Sequence, residues 1–291
     1  MLLAYNKKQR RLMNKPKIAI CYDFDKTLSP QNMQEFGFIS DLNFTPQEFW
    51  RAQDAIIDKY KSDRMLVNMY ATVFEAKKKG IELSKQKFMD YGKTVELYNG
   101  VNSWFDRINA YGNELGVEVE HYILSSGIKE IIEGTSIAKY FKKIYACSYI
   151  YNEQGEPIWP SLSINYTNKT QFLFRINKGC LDETDDRINE SLDHEERLVP
   201  FENMIYIGDS ETDIPCMRLV MKNGGKAIGV YHSNDKQKDF LKGLLANNKI
   251  NYMAEADYSK GEALETIVKA IIKSDKINFN LKQLSKAQKS S

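Results

Sequence analysis

The most constraining feature of the sequence is a short apolar run that ends in two carboxylates. Residues 18–22 read IAICY, and Asp23 and Asp25 follow at once in DFDKTL. An apolar run of this length predicts a buried strand. Ionised carboxylates resist burial unless something compensates them. The two aspartates therefore lie either in a polar turn just past the strand or beside a cation, and the second interpretation requires partners elsewhere in the chain.

Further apolar runs predict the other strands of a sheet. They cover residues 117–124, 204–207, 226–231 and, more briefly, 252–254. A helical pattern that stops at a glycine lies between residues 204–207 and 226–231. Strands that alternate with helices are typical of βαβ units and a parallel sheet. We therefore expect an α/β fold, with a Rossmann-like parallel sheet flanked by helices.

Residues 33–97 break this rhythm, because no convincing strand occurs there. Thr45, Pro46 and Glu48 form the pattern of a helix N-terminus with a capping box. A second helical pattern stops at Gly80 and places apolar residues on one face, which we interpret as the core of a small helical unit: Met65, Leu66, Met69, Tyr70, Val73 and Phe74. We predict a helical cap domain inserted after the first strand.

The remaining segments complete the predicted organisation. Residues 149–159, YIYNEQGEPIW, predict a β-hairpin with its turn around Gly155, and the acidic segment 181–198 predicts an exposed helix or loose loop. The predicted α/β core comprises residues 15–32 and 98–275, and the cap comprises residues 33–97. Residues 1–14 and 276–291 are expected to be flexible tails.

Composition narrows the functional class. A net charge of +2 does not indicate a nucleic-acid or anionic membrane surface, and the basic cluster within residues 7–11 is interpreted as part of a solvated tail. The four cysteines are scattered without a CxxC pair, which argues against structural zinc and fits a reducing compartment. No signal sequence or membrane-length apolar run is evident, so we expect a cytoplasmic protein.

Polar side chains follow three of the predicted strands. Ligands of open parallel sheets bind beyond the carboxyl ends of the strands. Each side chain taken alone has a local explanation, such as helix capping or a turn. Together, however, clustered carboxylates repel one another, and an oxygen-only site suits Mg²⁺. The three strands are followed by Asp23 with Asp25, by Ser125 with Ser126, and by Asp209 with Asp213.

These residues carry a family resemblance. DFDKTL matches the DxDxT signature of haloacid dehalogenase-like phosphatases, and YILSS resembles their second motif. NYTNKTQFLF supplies Lys169 as a candidate for the third-motif lysine, with Lys178 as its competitor, and IGDSETD resembles the fourth motif, GDxxxD. The helical block resembles the cap of the phosphoserine phosphatase-like branch. The longer stretch from Lys169 to Asp209, which contains the acidic segment, departs from that branch.

The resemblance implies roles for the motif residues at the first strand. Asp23 would attack phosphorus and form an aspartyl-phosphate, and Asp25 would act as general acid and then as general base. Members of the superfamily that stop at the phosphoenzyme usually lack this second aspartate, so Asp25 argues for hydrolysis. Asn32 stands where phosphoserine phosphatases place a glutamate that reads the substrate's amino group, and Glu35 is out of register. This departure argues against serine phosphate as the substrate.

The other motifs are implied to bind phosphate and metal. Ser125, Ser126 and Lys169 would contact the phosphoryl oxygens. Mg²⁺ would be bound by Asp23, the main-chain carbonyl of Asp25, and Asp209. The fourth-motif carboxylate, Asp213, would hold the water shell of the metal or brace the lysine.

The function expected from these motifs is Mg²⁺-dependent hydrolysis of small phosphate monoesters, without a membrane partner. Two alternatives remain open from the sequence. One is a nucleotide or nucleic-acid-end phosphatase of the same fold, although the low net charge disfavours it. The other is a non-catalytic scaffold that has kept the fold. The complete set of motifs argues against the scaffold, because a degenerate copy would be expected to lose a carboxylate.

Overall fold

A seven-stranded sheet forms the centre of the molecule in a computed structural model that describes residues 15–232 and 235–290. The strand order is β4-β3-β2-β1-β5-β6-β7, and neighbouring strands are parallel except for the antiparallel pair β3 and β4. The strands are β1 Lys17–Tyr22, β2 Glu118–Ile128, β3 Phe141–Tyr151, β4 Pro157–Leu162, β5 Met204–Gly208, β6 Lys226–Tyr231 and β7 Tyr252–Glu255. The predicted α/β class is confirmed.

Helices cover the sheet and form the segment that follows β1. The helices are α1 Phe38–Asp41, α2 Pro46–Tyr60, α3 Arg64–Lys78, α4 Lys85–Gly92, α5 Val101–Glu114, α6 Lys129–Glu133, α7 Thr170–Lys178, α8 Ile214–Lys222, α9 Asp235–Ala246 and α10 Ala263–Ser290. None of the helices in the described part of the chain combines the length and apolar composition that crossing a bilayer requires.

Strand β1 lies at the point where the topology changes direction. The chain adds β2, β3 and β4 on one side of β1, and then returns to place β5, β6 and β7 on its other side. Residues 18–22 are buried, as the apolar run predicts. In such sheets a crevice opens at the carboxyl ends of the strands where the order reverses. The loops after β1 and β5 therefore meet at this edge.

The sequence located the N-terminus of one helix in the block between β1 and α5 correctly, and a second helix carries a cap that was not predicted. Thr45 caps α2 and forms the predicted capping box with Glu48, while Pro46 is the first helical residue. Asp63 caps α3 by accepting hydrogen bonds from two main-chain N–H groups. The α3 pattern ends before Gly80, whose φ of +69° suits glycine.

The predicted core face of α3 is wrong for half of its residues. Leu66, Tyr70 and Phe74 are 45%, 54% and 46% exposed, and the rings of Tyr70 and Phe74 stack on each other at the surface. The buried face is rotated from the predicted one: it keeps Met69 and adds Val67, Ala71, Thr72 and Ala76. Small residues on that face allow close approach to neighbouring elements. Hydrophobic periodicity alone did not distinguish these two faces, because both carry apolar residues.

The helical block is joined tightly to the sheet half of the molecule. A Cβ placed on Gly92 of α4 would lie 2.1 Å from the Ile131 carbonyl oxygen, and one placed on Gly134 would lie 2.0 Å from the Met89 carbonyl oxygen. Helices α4 and α6 therefore pack backbone against backbone. One continuous buried apolar cluster includes residues from both the block and the sheet. The division into a core domain and a cap domain stays a prediction.

Two strands extend further than the sequence predicts. Strand β2 continues through Ser125 to Ile128, with an irregularity in its pairing to β3 after Leu124. The predicted hairpin turn is present, with Gly155 at φ +80°, but its first strand begins at Phe141 and pairs in parallel with β2. Charged residues at the start of β3 concealed this strand, because an ion pair such as Lys143–Glu183 satisfies their charge in the folded chain.

The acidic segment 181–198 is mostly irregular, with short 3₁₀ turns at residues 186–189 and 194–196. Lys178 donates hydrogen bonds to the carbonyl oxygens of Ile188 and Glu190, both at 2.6 Å, and so holds this segment.

The C-terminal residues predicted as a flexible tail continue α10 to Ser290. The ion pair between Lys282 and Glu202 ties this end of the helix to the loop before β5. Long-range ion pairs of this kind are not visible in the sequence pattern. Residues 1–14, including the basic cluster, lie outside the described residues.

Candidate active site

Three buried aspartates meet at the carboxyl ends of β1 and β5. Asp23 follows β1 directly, and its N–H donates to the Ile207 carbonyl oxygen at 3.0 Å, which ties the two strand ends together. Asp209 follows β5, and Asp213 precedes α8. Asp23, Asp209 and Asp213 each offer an oxygen within 4.8 Å of the others. The two motifs therefore converge, as the sheet topology requires.

A buried lysine faces this cluster. Lys169 precedes α7, is fully buried, and places Nζ 2.7 Å from Asp213 and 3.3 Å from Asp23. Burial lowers the pKa of Lys169, but the charges of Asp213 and Asp23 raise it above its usual value. The ammonium group is thus charged. The competing Lys178 binds main-chain carbonyls of the acidic segment instead.

Asp213 is fully occupied as a hydrogen-bond acceptor. Its Oδ1 accepts from Lys169 and from the Tyr206 hydroxyl, both at 2.7 Å. Its Oδ2 accepts from the N–H groups of Asp209 and Ser210 and from the Ser210 hydroxyl. A carboxylate offers about four lone-pair positions, and five donors already share those of Asp213, so none is left for another ligand. This geometry suits a brace for Lys169 better than a direct contact to a metal.

Asp209 keeps more of its acceptor capacity. Its Oδ1 accepts a hydrogen bond from Thr27 at 3.2 Å, and its Oδ2 accepts one from Gln237 at 3.3 Å. Burial and the neighbouring charges of Asp213 and Asp23 raise its pKa well above the usual value. Each oxygen retains an unused position, and the raised pKa reflects an environment in which a cation would be stabilising.

The two aspartates of the first motif lie in different environments. Burial raises the pKa of Asp23, and the adjacent Lys169 charge opposes this increase. Burial and the Asp23 charge raise the pKa of Asp25 to about 8. Its Oδ1 accepts a hydrogen bond from the Met33 N–H at 2.8 Å. Asp25 therefore holds a proton near neutral pH more readily than Asp23 does.

The end of β2 supplies one buried hydroxyl and a close backbone approach. Ser125 is buried, and its Oγ accepts a hydrogen bond from the Gly127 N–H at 3.0 Å. Ser126 is partly buried, and its carbonyl oxygen accepts a hydrogen bond from the Cys147 thiol at 3.4 Å. A Cβ on Gly127 would lie 2.0 Å from Met33 Cε and 3.3 Å from an Asp25 oxygen. Gly127 therefore allows β2 to approach the Asp25 loop closely.

The donor set fits a divalent cation. The carboxylates of Asp23, Asp209 and Asp213 and the ammonium of Lys169 leave an excess of two negative charges when all four are ionised. Buried charges of one sign are costly unless they are compensated. The available oxygens are hard ligands, which suit Mg²⁺ or a similar ion. Asp23 and Asp209 have the positions left to bind it.

A cavity of about 600 Å³ opens beside Asp209. Lys26, Tyr98 and His232 contribute to its lining, and the Tyr98 and His232 rings are 5.4 Å apart. Pockets of roughly 300–1,000 Å³ accommodate small-molecule ligands. The site thus has room for a small substrate next to the carboxylate cluster.

Several neighbours of the site were not among the residues predicted from the sequence. Thr27 belongs to the DxDxT pattern but was not assigned a contact. The hydroxyl of Tyr206, on the buried strand β5, donates to Asp213. The alternation of side chains along a strand is the one sequence signal for the direction in which the Tyr206 side chain points. Gln237 lies in no motif, and no sequence signal connects it with Asp209.

Comparison with known proteins places the chain in a family. The family model described as haloacid dehalogenase-like hydrolase matches residues 20–218, more than half of the chain. A protein of Borreliella burgdorferi, described as uncharacterized, is 29% identical over 274 residues, covering 85% of this chain and 93% of that protein.

Solved structures share the fold at low sequence identity. A HAD-family hydrolase of Salmonella enterica serovar Typhi aligns with a TM-score of 0.55 at 16% identity, covering 89% of this chain and 72% of that one. A phosphoserine phosphatase, solved as an analogue of its phospho-aspartyl intermediate, aligns with a TM-score of 0.52 at 14% identity, covering 88% and 99%. The family match, the fold and the assembled motifs agree, and the chain belongs to the haloacid dehalogenase-like hydrolases.

Proposed function

We propose that this hydrolase is a Mg²⁺-dependent phosphatase of small phosphate monoesters that works through an aspartyl-phosphate. The observation that carries the proposal is the contrast between Asp23 and Asp25. Burial raises the pKa of both carboxyl groups, but Lys169 at 3.3 Å opposes the increase at Asp23, whose pKa is raised to about 6, whereas that of Asp25 is raised to about 8. Two carboxyl groups whose pKa values are pushed apart suit a nucleophile and a general acid.

The first chemical step uses both aspartates. A carboxylate oxygen of Asp23 forms a bond to phosphorus, and the bond between phosphorus and the ester oxygen breaks. The departing oxygen takes the proton held by Asp25 and leaves as an alcohol. Lys169 and the Ser125 hydroxyl stabilise the negative charge on the phosphoryl oxygens.

The second step restores the enzyme. Asp25, now ionised, removes a proton from a water molecule as the water oxygen attacks phosphorus. The bond between Asp23 and phosphorus breaks, which releases inorganic phosphate and leaves Asp25 protonated again. Met33, which donates to Asp25 at 2.8 Å, holds the carboxyl group in one orientation through both steps.

Asp23, Asp209 and the main-chain carbonyl of Asp25 would hold the Mg²⁺. When bound, the ion supplies positive charge that offsets repulsion between a carboxylate and a phosphate dianion. Asp213 contributes by fixing Lys169 rather than by direct ligation, since its oxygens already accept five hydrogen bonds.

We propose that the helical block 33–97 acts as a cap that contacts the leaving group of the substrate. The short turn at residues 33–35 links the two regions, because Met33 donates to Asp25 while Glu35 accepts a hydrogen bond from Trp50 of α2 at 3.2 Å. Asn32 donates to the same Glu35 oxygen at 2.5 Å. These contacts support a substrate other than serine phosphate, because Asn32 is engaged within the turn.

Turnover of an aryl phosphate tests the proposed function. Wild-type protein should hydrolyse it with Mg²⁺, lose activity in EDTA and regain it when Mg²⁺ is restored. Asp23→Asn should lower turnover by at least about 10³-fold, because an amide cannot attack phosphorus. Asp58→Asn, the same change at an exposed position, is the matched control. A folded Asp23→Asn protein with near-wild-type turnover, or full activity in EDTA, would contradict the proposal.

A further inference from the structure

We infer that Gln237 is a positioning residue that holds Asp209 in the orientation required for binding the divalent cation. Gln237 lies in the first turn of α9, which follows β6, and belongs to none of the motifs. The inference rests on the proposed function, because it assumes that Asp209 binds the cation. It adds a residue from a part of the chain beyond the last motif.

Two hydrogen bonds define the orientation of the Gln237 side chain. Its Oε1 accepts from the main-chain N–H of His232 at 3.1 Å, and its Nε2 donates to Oδ2 of Asp209 at 3.3 Å. A main-chain N–H can only donate, and an ionised carboxylate can only accept. Rotating the amide by half a turn would oppose donor to donor and acceptor to acceptor. His232 therefore selects the rotamer that presents an N–H to Asp209.

A second donor completes the support of Asp209. The Thr27 hydroxyl donates to Oδ1 at 3.2 Å from the loop after β1, whereas Gln237 donates to Oδ2. With one donor on each oxygen, the carboxylate plane is fixed about the bond between Cβ and Cγ. Each oxygen still has a lone pair for a cation. Groups that orient metal ligands in this way typically change metal affinity by about 10- to 100-fold when removed.

The decisive measurement is the Kd for Mg²⁺ alone, obtained by isothermal titration calorimetry without substrate. Gln237→Met preserves side-chain length but removes both hydrogen bonds, and we expect it to raise the Kd about tenfold. Its kcat at saturating Mg²⁺ should remain within about threefold of wild type, because the cation restores the orientation of Asp209 once it is bound. Gln47→Met is the matched control, because Gln47 is exposed in the first turn of α2.

A second variant keeps the inference testable if Gln237→Met does not fold. Gln237→Asn keeps the amide but is shorter by one methylene, so it cannot span His232 and Asp209 together. It should weaken Mg²⁺ binding to a similar extent. A Kd equal to that of wild type in either folded variant would overturn the inference.

A double-mutant cycle tests whether Gln237 acts through Asp209. Thr27→Val removes the other donor, so the two single changes should disturb the same carboxylate. The combined loss of affinity should then differ from the product of the separate losses, as expected for coupled residues. Losses that simply multiply would show that Gln237 acts elsewhere and would overturn the inference.

The same titrations separate this inference from the proposed function. If wild-type protein binds no Mg²⁺, or if Asp209→Asn leaves binding unchanged, the proposed metal site fails. If binding depends on Asp209 but Gln237→Met matches wild type, only the role of Gln237 fails.

Discussion

The carboxyl edge of the sheet and the helical block are stabilised by opposite means. At the edge, Asp23, Asp209 and Asp213 are buried together, with Lys169 as the buried cation beside them. The block is held by helix caps and by apolar contacts, such as the edge-to-face packing of Phe38 and Phe49 at 6.0 Å. Burial of like charges disfavours folding, whereas apolar burial favours it.

This difference separates the expected effects of mutations. Removing a carboxyl group at the edge should abolish chemistry while relieving electrostatic repulsion. Disturbing the packing between the block and the sheet should lower stability while leaving the proposed catalytic groups intact.

Asp25→Asn should lower turnover of alkyl phosphates by about 10²- to 10⁴-fold, which is the usual contribution of general acid–base catalysis. An aryl phosphate has a better leaving group, so its first step should be affected less and a phosphoenzyme should accumulate. Rapid quench with labelled substrate measures this accumulation. A burst and a leaving-group dependence identical to those of wild type would remove Asp25 from the acid–base role.

The same variant should be more stable than wild type in metal-free buffer at high pH. The pKa of Asp25 is about 8 when folded and 3.8 in its unperturbed state, so the folded protein retains a proton that the unfolded chain releases. The resulting destabilisation grows from about pH 4 to pH 8 and is absent below that range. The amide that replaces the carboxyl group in the variant does not ionise, so the Tm difference should vanish near pH 4, grow with pH and level off above about pH 8. A difference independent of pH would contradict this assignment.

Gly134→Ala should destabilise the joint between the block and the sheet. The added Cβ would lie 2.0 Å from the Met89 carbonyl oxygen, which is main chain and must move. Overpacking of this kind costs about 1–3 kcal/mol, measured as a lower free energy of unfolding in urea. The kcat/KM of the folded variant for an aryl phosphate should change by less than about threefold.

Gly243→Ala provides the matched control for this change. Gly243 lies within α9, and a Cβ there would meet nothing within 4 Å. Alanine in a helix interior is favoured over glycine by about 0.5–1 kcal/mol, so this variant should be slightly more stable than wild type. Equal stability changes in the two variants would show that α4 and α6 are not tightly packed.

The sequence predicted the edge of the sheet better than the block because of how each is encoded. Asp23 and Asp209 directly follow buried strands, so parallel topology alone brings them together. The capping box at Thr45 is equally local. The outward direction of Tyr70 depends on which face of α3 meets the rest of the chain, and the contact of Gln237 depends on where α9 docks. Such contacts between distant segments leave no periodic signal in the sequence.

Strand β3 also shows that the sequence pattern misses features that depend on contacts between distant segments. Its second and third residues are lysines, and they are accommodated by the ion pairs of Lys142 with Glu120 and of Lys143 with Glu183. An apolar pattern cannot reveal a strand whose charges find partners only after folding. The hairpin was predicted because its turn at Gly155 is encoded locally. The half of β3 that pairs in parallel with β2 was not predicted, because that pairing is between distant segments.

The turn at residues 33–35 contacts both the carboxyl edge of the sheet and the helical block. Changes that reach this turn therefore test whether the block influences the site. Met33 contacts Asp25 through its main chain, and Glu35 contacts Trp50 through its side chain. A change in the block that reaches this turn should alter how the leaving group is recognised without removing a catalytic group.

Trp50→Phe should therefore change substrate preference more than chemistry. The substitution keeps an aromatic ring beside Phe49 but removes the N–H that donates to Glu35 at 3.2 Å. A hydrogen bond of this kind contributes roughly 1 kcal/mol, so ratios of kcat/KM among alkyl phosphates should shift by about three- to tenfold. Turnover of the aryl phosphate should stay within about threefold. Trp159→Phe, at a tryptophan that is 69% exposed on β4, is the control and should leave every ratio unchanged. If Trp50→Phe preserves the wild-type order and ratios across the panel, the block does not communicate with the site through this turn, and recognition of the leaving group resides at the carboxyl edge of the sheet.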